Sequence, residues 1–153
     1  MKIREIKADF DKAKRAEQRA HAELVRSEQL TESQKSQLDT LLKHREECLE
    51  GLRDAKSSGL NIIQIREYQL LLKHLEGVLH EQQEKIDICQ VREEESRDDW
   101  VQKSERLERL QLMMQQVEQD LRDEREREIN GQAEPADKKH TDTYIGVTGK
   151  RLG

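Results

Sequence analysis

The feature that most constrains this chain is a spacing of apolar residues that repeats every seven positions. Counted from Ile3, the two core series of the heptad, a and d, run to Ala55 without a skip, and about eleven of their sixteen positions are apolar. A second series runs from Ile65 to Leu121 with about thirteen apolar residues in seventeen positions. Because a spacing of 3.5 residues keeps one stripe of a helix facing a partner, the pattern predicts long supercoiled helices.

The composition agrees with helices that are mostly solvated. Of 153 residues, 40% are charged and only 3% are aromatic, which is too little apolar material for a compact globular core. One Pro and seven Gly leave long stretches with nothing to interrupt a helix. The 28 basic and 33 acidic residues nearly balance, unlike the single dominant sign typical of disordered tails.

One short segment separates the two heptad series. It contains Gly59, which can take a positive φ past a helix end, and Asn61, which can cap the following helix. We therefore predict helices over about 3–55 and 62–128, joined by a turn at 56–61. Helices joined by so short a turn must lie antiparallel, so the predicted fold is all-α: a long antiparallel two-helix coiled-coil hairpin over residues 1–129.

Folding the chain about Ser58 sets the register of the two helices. Trp100 then falls beside the alanines at positions 13, 16 and 20, which leave room for a large ring, and we assign Tyr68 and Trp100 to the structural seam. The first helix ends opposite about residue 114, so residues 117–128 should project alone. Residues 130–153, rich in Gly and Thr and without a period, are predicted to form a flexible tail.

No pattern of catalytic, cofactor-binding or metal-binding residues occurs. A two-stranded coil has a seam but no enclosed pocket, and the five His show no ligand spacing. Cys48 and Cys89 are far apart in the predicted register, so no intrachain disulfide is expected. We predict that the chain is not an enzyme, uses no cofactor and binds no metal.

Two further classes of partner are unfavourable by sequence. The first 26 residues carry only a small excess of basic side chains, so we predict no nucleic-acid binding. No apolar run is long enough to span a bilayer, and the start MKIREIKADF lacks the apolar core of a secretory signal. The expected location is the cytoplasm.

Several short motifs carry a family resemblance. The chain reads Gln37-Leu38-x-x-Leu41-Leu42, then Gly59-Leu60, then Arg66-Glu67-Tyr68-Gln69-Leu70-Leu71-Leu72, and later Trp100-Val101-x-Lys103-x-x-Arg106-Leu107. A heptad does not require a Tyr-Gln pair soon after a Gly-containing turn, or a single Trp about thirty residues later. Over roughly residues 3–127, the sequence resembles the FliJ family of the flagellar type III export apparatus and, more distantly, its YscO-type injectisome counterparts.

The resemblance implies a cytoplasmic stalk, peripheral to the inner-membrane export apparatus and reaching the membrane only through it. Its helix termini would enter the pore of the export ATPase hexamer, and its turn-proximal part would reach the export gate protein. Family members are also assigned to handling export chaperones. By position, the implied gate contacts are Gln37, Leu41, His44, Cys48, Leu71, Leu75 and Val78. The implied contacts with the ATPase ring are Lys2, Arg4, Lys7, Asp120, Arg122 and Arg125.

Two other classes of function remain open at this point. A generic coiled-coil scaffold or chaperone-binding adaptor would have the same heptads, and binding to a ring ATPase would distinguish the stalk from it. A nucleic-acid-associated coiled coil would instead bind DNA in a salt-sensitive manner. The sequence also leaves open whether the apparatus is flagellar or an injectisome.

Overall fold

The chain folds into two long helices packed against each other. The structure, a computed structural model, describes residues 2–59 and 62–145, with side chains described as far as residue 131. Helix α1 spans Ile3–Ser57 and helix α2 spans Ile62–Ile145, and the described residues contain no strand. The predicted all-α two-helix hairpin is confirmed.

Local backbone interactions explain where α1 begins and ends. At its start, the Lys2 carbonyl accepts hydrogen bonds from the amides of Glu5 and Ile6, at 3.0 and 3.2 Å. At its end, the Ser58 amide donates to the Asp54 carbonyl at 2.9 Å, and Gly59 follows with φ +72°. A Gly in this left-handed conformation terminates a helix without steric cost, as the sequence predicted. The expected cap, Asn61, lies outside the described residues.

The buried residues follow the heptad. Among the residues whose side chains are described, ten apolar and three polar ones are buried, and every one of them occupies a predicted a or d position. They are Ile6, Ala13, Ala20, Leu24, Ser27, Thr31, Ala55, Leu75, Leu79, Gln82, Ile86, Cys89 and Leu110. Burial is confined to this stripe because a helix in a two-helix hairpin can cover only the face toward its partner.

Helix α2 extends further than the sequence indicated. It continues to Ile145, past the expected end near residue 128. The segment contains good helix formers such as Ala133, Glu134 and Ala136. The helix also continues through Pro135, which lacks a backbone donor and crowds the carbonyl four residues earlier. The predicted flexibility of residues 130–153 stays a prediction, and residues 146–153 lie outside the described part of the chain.

The chain divides into two compact units, each containing a stretch of both helices. One unit comprises residues 1–13 and 106–153, and the other comprises residues 14–105. In the first unit the seam runs out along α2: Leu110 is 8% exposed, whereas Leu121 and Ile129 are 42% and 59% exposed. In the second unit the buried residues of α1 extend from Ala20 to Ala55.

Candidate functional site

In the 14–105 unit, the furrow that two packed helices leave along one side of their seam is flanked by a stretch of residues without Asp, Glu, Lys or Arg. It is lined by Gln37, Leu41, His44, Cys48 and Gly51 on α1 and by Tyr68, Leu71 and Val78 on α2, and we call it the uncharged groove. Steps of three and four residues put each set on one face of its helix. In a chain with 40% charged residues, such a stretch is a candidate contact surface.

A glycine allows the two walls of the uncharged groove to approach at one end. The Tyr68 ring lies directly over Gly51, and a Cβ added at Gly51 would fall 2.8 Å from the ring carbons Cε1 and Cζ. The ring therefore occupies space that any other residue at position 51 would need. A 290 Å³ depression bounded by Glu67, Tyr68 and Leu71 opens beside the ring.

The structure places six of the seven implied gate contacts along this groove, with their side chains wholly or partly exposed. Leu71 is 45% exposed. The seventh, Leu75, is only 8% exposed, because it occupies a core position between the helices. Leu75 therefore packs in the seam beneath the groove, and the contact of all seven residues with an export gate stays a prediction.

A second groove lies on the same side, further from the turn. It has a volume of about 420 Å³, with Ser27 and Leu30 on one wall and Cys89 and Ser96 on the other. The hydroxyls of Ser27 and Ser96 are hydrogen-bonded at 3.1 Å, so small polar residues replace a hydrophobic layer here. The gap exists because two serines fill less of the seam than the leucines that occupy equivalent positions elsewhere.

Polar residues continue along this stretch of the seam. The buried Gln82 side-chain amide donates from Nε2 to two acceptors of Gln34: the backbone carbonyl at 2.9 Å and the side-chain Oε1 at 2.7 Å. The Thr31 hydroxyl, also buried, donates to the Ser27 carbonyl at 3.0 Å. The hydrogen bonds of this polar seam were not predicted from the sequence, although polar residues at a and d positions of the heptad were the available signal.

An ion pair at the edge of the polar seam links the helices. Arg97 Nη2 donates to Glu93 Oε2 at 2.9 Å and lies 3.9 Å from Glu28 Oε2 on α1. The hydrogen bond from Arg97 is the main cause that lowers the pKa of Glu93, and desolvation by burial opposes it. Glu93 is therefore stabilised as a carboxylate at a core position.

This ion pair predicts a measurable acid sensitivity. Since the pKa of Glu93 in the folded state lies below its ordinary value of 4.5, the charged group stabilises the fold above that value. The contribution is lost as pH falls from about 4.5 through the folded-state pKa. We expect Glu93→Gln to flatten the decline in unfolding free energy between about pH 6 and pH 3 in urea titrations.

The matched control is Glu81→Gln, which removes an exposed carboxylate from the same helix. It should leave the wild-type acid profile almost unchanged. If Glu93→Gln and the wild type lose stability in parallel over this pH range, Glu93 does not carry the acid sensitivity.

Trp100 makes specific contacts at the helix interface. Its indole Nε1 donates to Glu17 Oε1 at 3.1 Å, and its ring lies 5.7 Å from the His21 ring, centroid to centroid, at 57°. Trp100 is half-buried. Two of the three alanines predicted beside it, Ala13 and Ala20, are buried, and the packing of the ring against them stays a prediction.

The implied contacts with the ATPase ring belong to the other unit. All six are exposed: Lys2, Arg4, Lys7, Asp120, Arg122 and Arg125. On α2 the surface is organised by hydrogen bonds within the helix, from Gln116 to Asp120 at 3.0 Å and from Arg122 to Gln119 at 2.9 Å. This surface presents both signs of charge to solvent.

Other expected features can be located in the described residues. Cys48 and Cys89 are free thiols, the first half-buried and the second buried in the seam. Within residues 2–59 and 62–131, no group of His, Cys, Asp and Glu is arranged to hold a metal ion. No helix in the described part of the chain is apolar enough over a sufficient length to cross a membrane.

Comparison with known proteins gives one match. The model of a protein family described as "Flagellar FliJ protein" matches residues 10–132, which is most of both helices. No curated protein and no solved structure matches the chain.

Proposed function

The chain belongs to the family of the flagellar FliJ protein, and from that premise we propose that it is the central stalk of a type III export apparatus. Membership in this family relates the chain to flagellar protein export. The finer role is to bind the export ATPase hexamer and to couple it to the export gate protein, on the cytoplasmic side of the inner membrane. The family match over residues 10–132 is the observation that carries this proposal.

The structure supports the role through two separate surfaces. The unit containing the helix termini exposes basic and acidic side chains, and such a surface suits a polar ring interior. The 14–105 unit contains the uncharged groove, which suits a partner with apolar side chains. A coupling protein needs two contact surfaces of different chemistry, one for each machine. The flagellar description of the family favours a flagellar apparatus over an injectisome.

Binding to the purified ATPase tests the stalk role directly. We expect the full chain to bind the assembled hexamer, and Arg122→Glu/Arg125→Glu to weaken that binding at least about tenfold, through lost charge complementarity. A chain ending before Val117 should lose ring binding but retain its helical circular dichroism. Titration calorimetry against the hexamer measures the first effect, and ultracentrifugation with the ring measures the second.

The matched control for charge is Arg66→Glu/Lys73→Glu, which reverses two exposed basic residues of α2 in the 14–105 unit. It should bind the hexamer like the wild type. Retained binding by the shortened chain would place the contact elsewhere. Absence of any ring binding by the full chain, with binding to export chaperones instead, would favour the scaffold or chaperone-binding adaptor.

A further inference from the structure

The uncharged groove is bordered on both sides by acidic residues. Glu47 and Asp54 follow the groove residues His44 and Gly51 by one helical step on α1, and Glu67 and Glu81 flank Leu71 and Val78 on α2. All four carboxylates are exposed. The other two positions of the same rims, Thr40 and His74, carry no acidic or basic group of fixed charge. Neither rim therefore carries a Lys or an Arg.

No ion pair formed by the described residues includes any of the four rim carboxylates. The ion pairs formed by the described residues involve other acidic groups, namely Glu23, Glu28, Glu46, Glu84, Glu93 and Asp99. Two negative rims beside an apolar floor focus negative potential along the groove. The same potential would repel anionic lipid headgroups and nucleic-acid phosphates, so the occupant is expected to be a protein segment.

The shape of the groove favours a helix as the occupant. Two packed helices leave a furrow along the seam into which a third helix can insert its apolar side chains. The floor offers Leu41, Cys48 and Val78, all partly exposed, together with the exposed Leu71. A third helix would place an apolar stripe on this floor and one flank beside each acidic rim.

From the apolar floor and its paired acidic rims, we propose that the uncharged groove binds an amphipathic α-helix whose apolar stripe is flanked on both sides by Lys or Arg. This inference rests on the proposed function, because the export gate protein would supply the helix. It adds the chemistry of the segment that binds, whereas the family resemblance implied only which residues of this chain make the contact.

Two synthetic helical peptides test the inference on the full-length chain. Both carry the same leucine stripe, one flanked on each side by Lys and Arg and the other by Glu. Fluorescence anisotropy should show the basic peptide binding at least about tenfold more tightly than the acidic one, with the difference shrinking as salt is raised. Glu47→Lys/Glu67→Lys/Glu81→Lys should reverse this preference.

The control variant Glu32→Lys/Glu50→Lys/Glu76→Lys changes net charge equally at exposed positions outside the groove and its rims. It should keep the preference for the basic peptide. Equal binding of both peptides, or an equal effect of both triple variants, would overturn the inference.

The gate protein itself separates failure of this inference from failure of the proposed function. Its purified cytoplasmic region is titrated with the wild type and with the rim variant. Gate binding that survives charge reversal at the rims overturns the basic-helix inference while leaving the stalk role intact. Binding of the basic peptide with no binding of the gate supports the inference and counts against the coupling role.

Discussion

Replacing Ile86 by Ala should lower the free energy of unfolding by about 3 kcal/mol, as truncations of fully buried aliphatic residues do. Ile86 is 2% exposed and lies next to the polar seam, so neighbouring layers offer little apolar surface to close the cavity. Urea unfolding followed by circular dichroism measures the loss. The thermal midpoint should fall by roughly 10 °C.

The matched control lies two residues away. Ile88 is the same residue type on the same helix but is 54% exposed, so Ile88→Ala should change the unfolding free energy by less than about 0.5 kcal/mol. Equal losses in the two variants would mean that residues 86 and 88 contribute alike. The helix face buried in solution would then differ from the one in the structure.

Replacing both Gln34 and Gln82 by Leu should raise the free energy of unfolding by about 2 kcal/mol. The two side-chain amides are hydrogen-bonded to each other across the seam. Replacing both of them therefore leaves no buried amide that has lost its partner. Two leucines at facing core positions add apolar burial instead. Urea unfolding is the measurement, and Gln83→Leu, on the exposed face beside Gln82, is a control expected to change little.

The same double replacement should relax the register of the helices. A polar pair that can bond in only one alignment specifies that alignment, whereas leucines pack in several. Ser27→Cys/Ser96→Cys in a Cys48→Ala/Cys89→Ala background should form a disulfide readily, since the serine hydroxyls are 3.1 Å apart. Crosslinking should fall when the two leucines are added. Unchanged crosslinking would show that the glutamines do not set the register.

The heptad predicted the stripe to which burial is confined among the described residues, because in a two-helix hairpin only the face toward the partner is covered. The predicted register placed Trp100 beside positions 13 to 20 of the first helix, and the structure has a hydrogen bond between Trp100 and Glu17, which lies within that stretch. Ser27 shares a groove with Cys89 and is hydrogen-bonded to Ser96, one heptad further along.

The sequence pattern could not predict the conformations and contacts of individual side chains within the seam. It assigned Trp100 to the seam but not the lean of its ring toward Glu17 and His21, which depends on rotamer and solvent exposure. The family resemblance implied Leu75 as a gate contact, and the structure places it in the seam, at a position that the heptad marks as core. The end of α2 was also underestimated, because Gly131 and Pro135 suggested a break, whereas the helix continues through both.

The single turn has a consequence for how the chain folds. Contacts between the helices join residues 48 apart at Gln34, 69 apart at Ser27 and 83 apart at Glu17. Once the helix contacts nearest Gly59 have formed, each further pair of facing residues closes a loop of only a few additional residues, so its entropic cost is small. Helix pairing can therefore begin at the turn and proceed residue pair by residue pair away from it, with the contacts of Gln34 and Ser27 forming at intermediate steps.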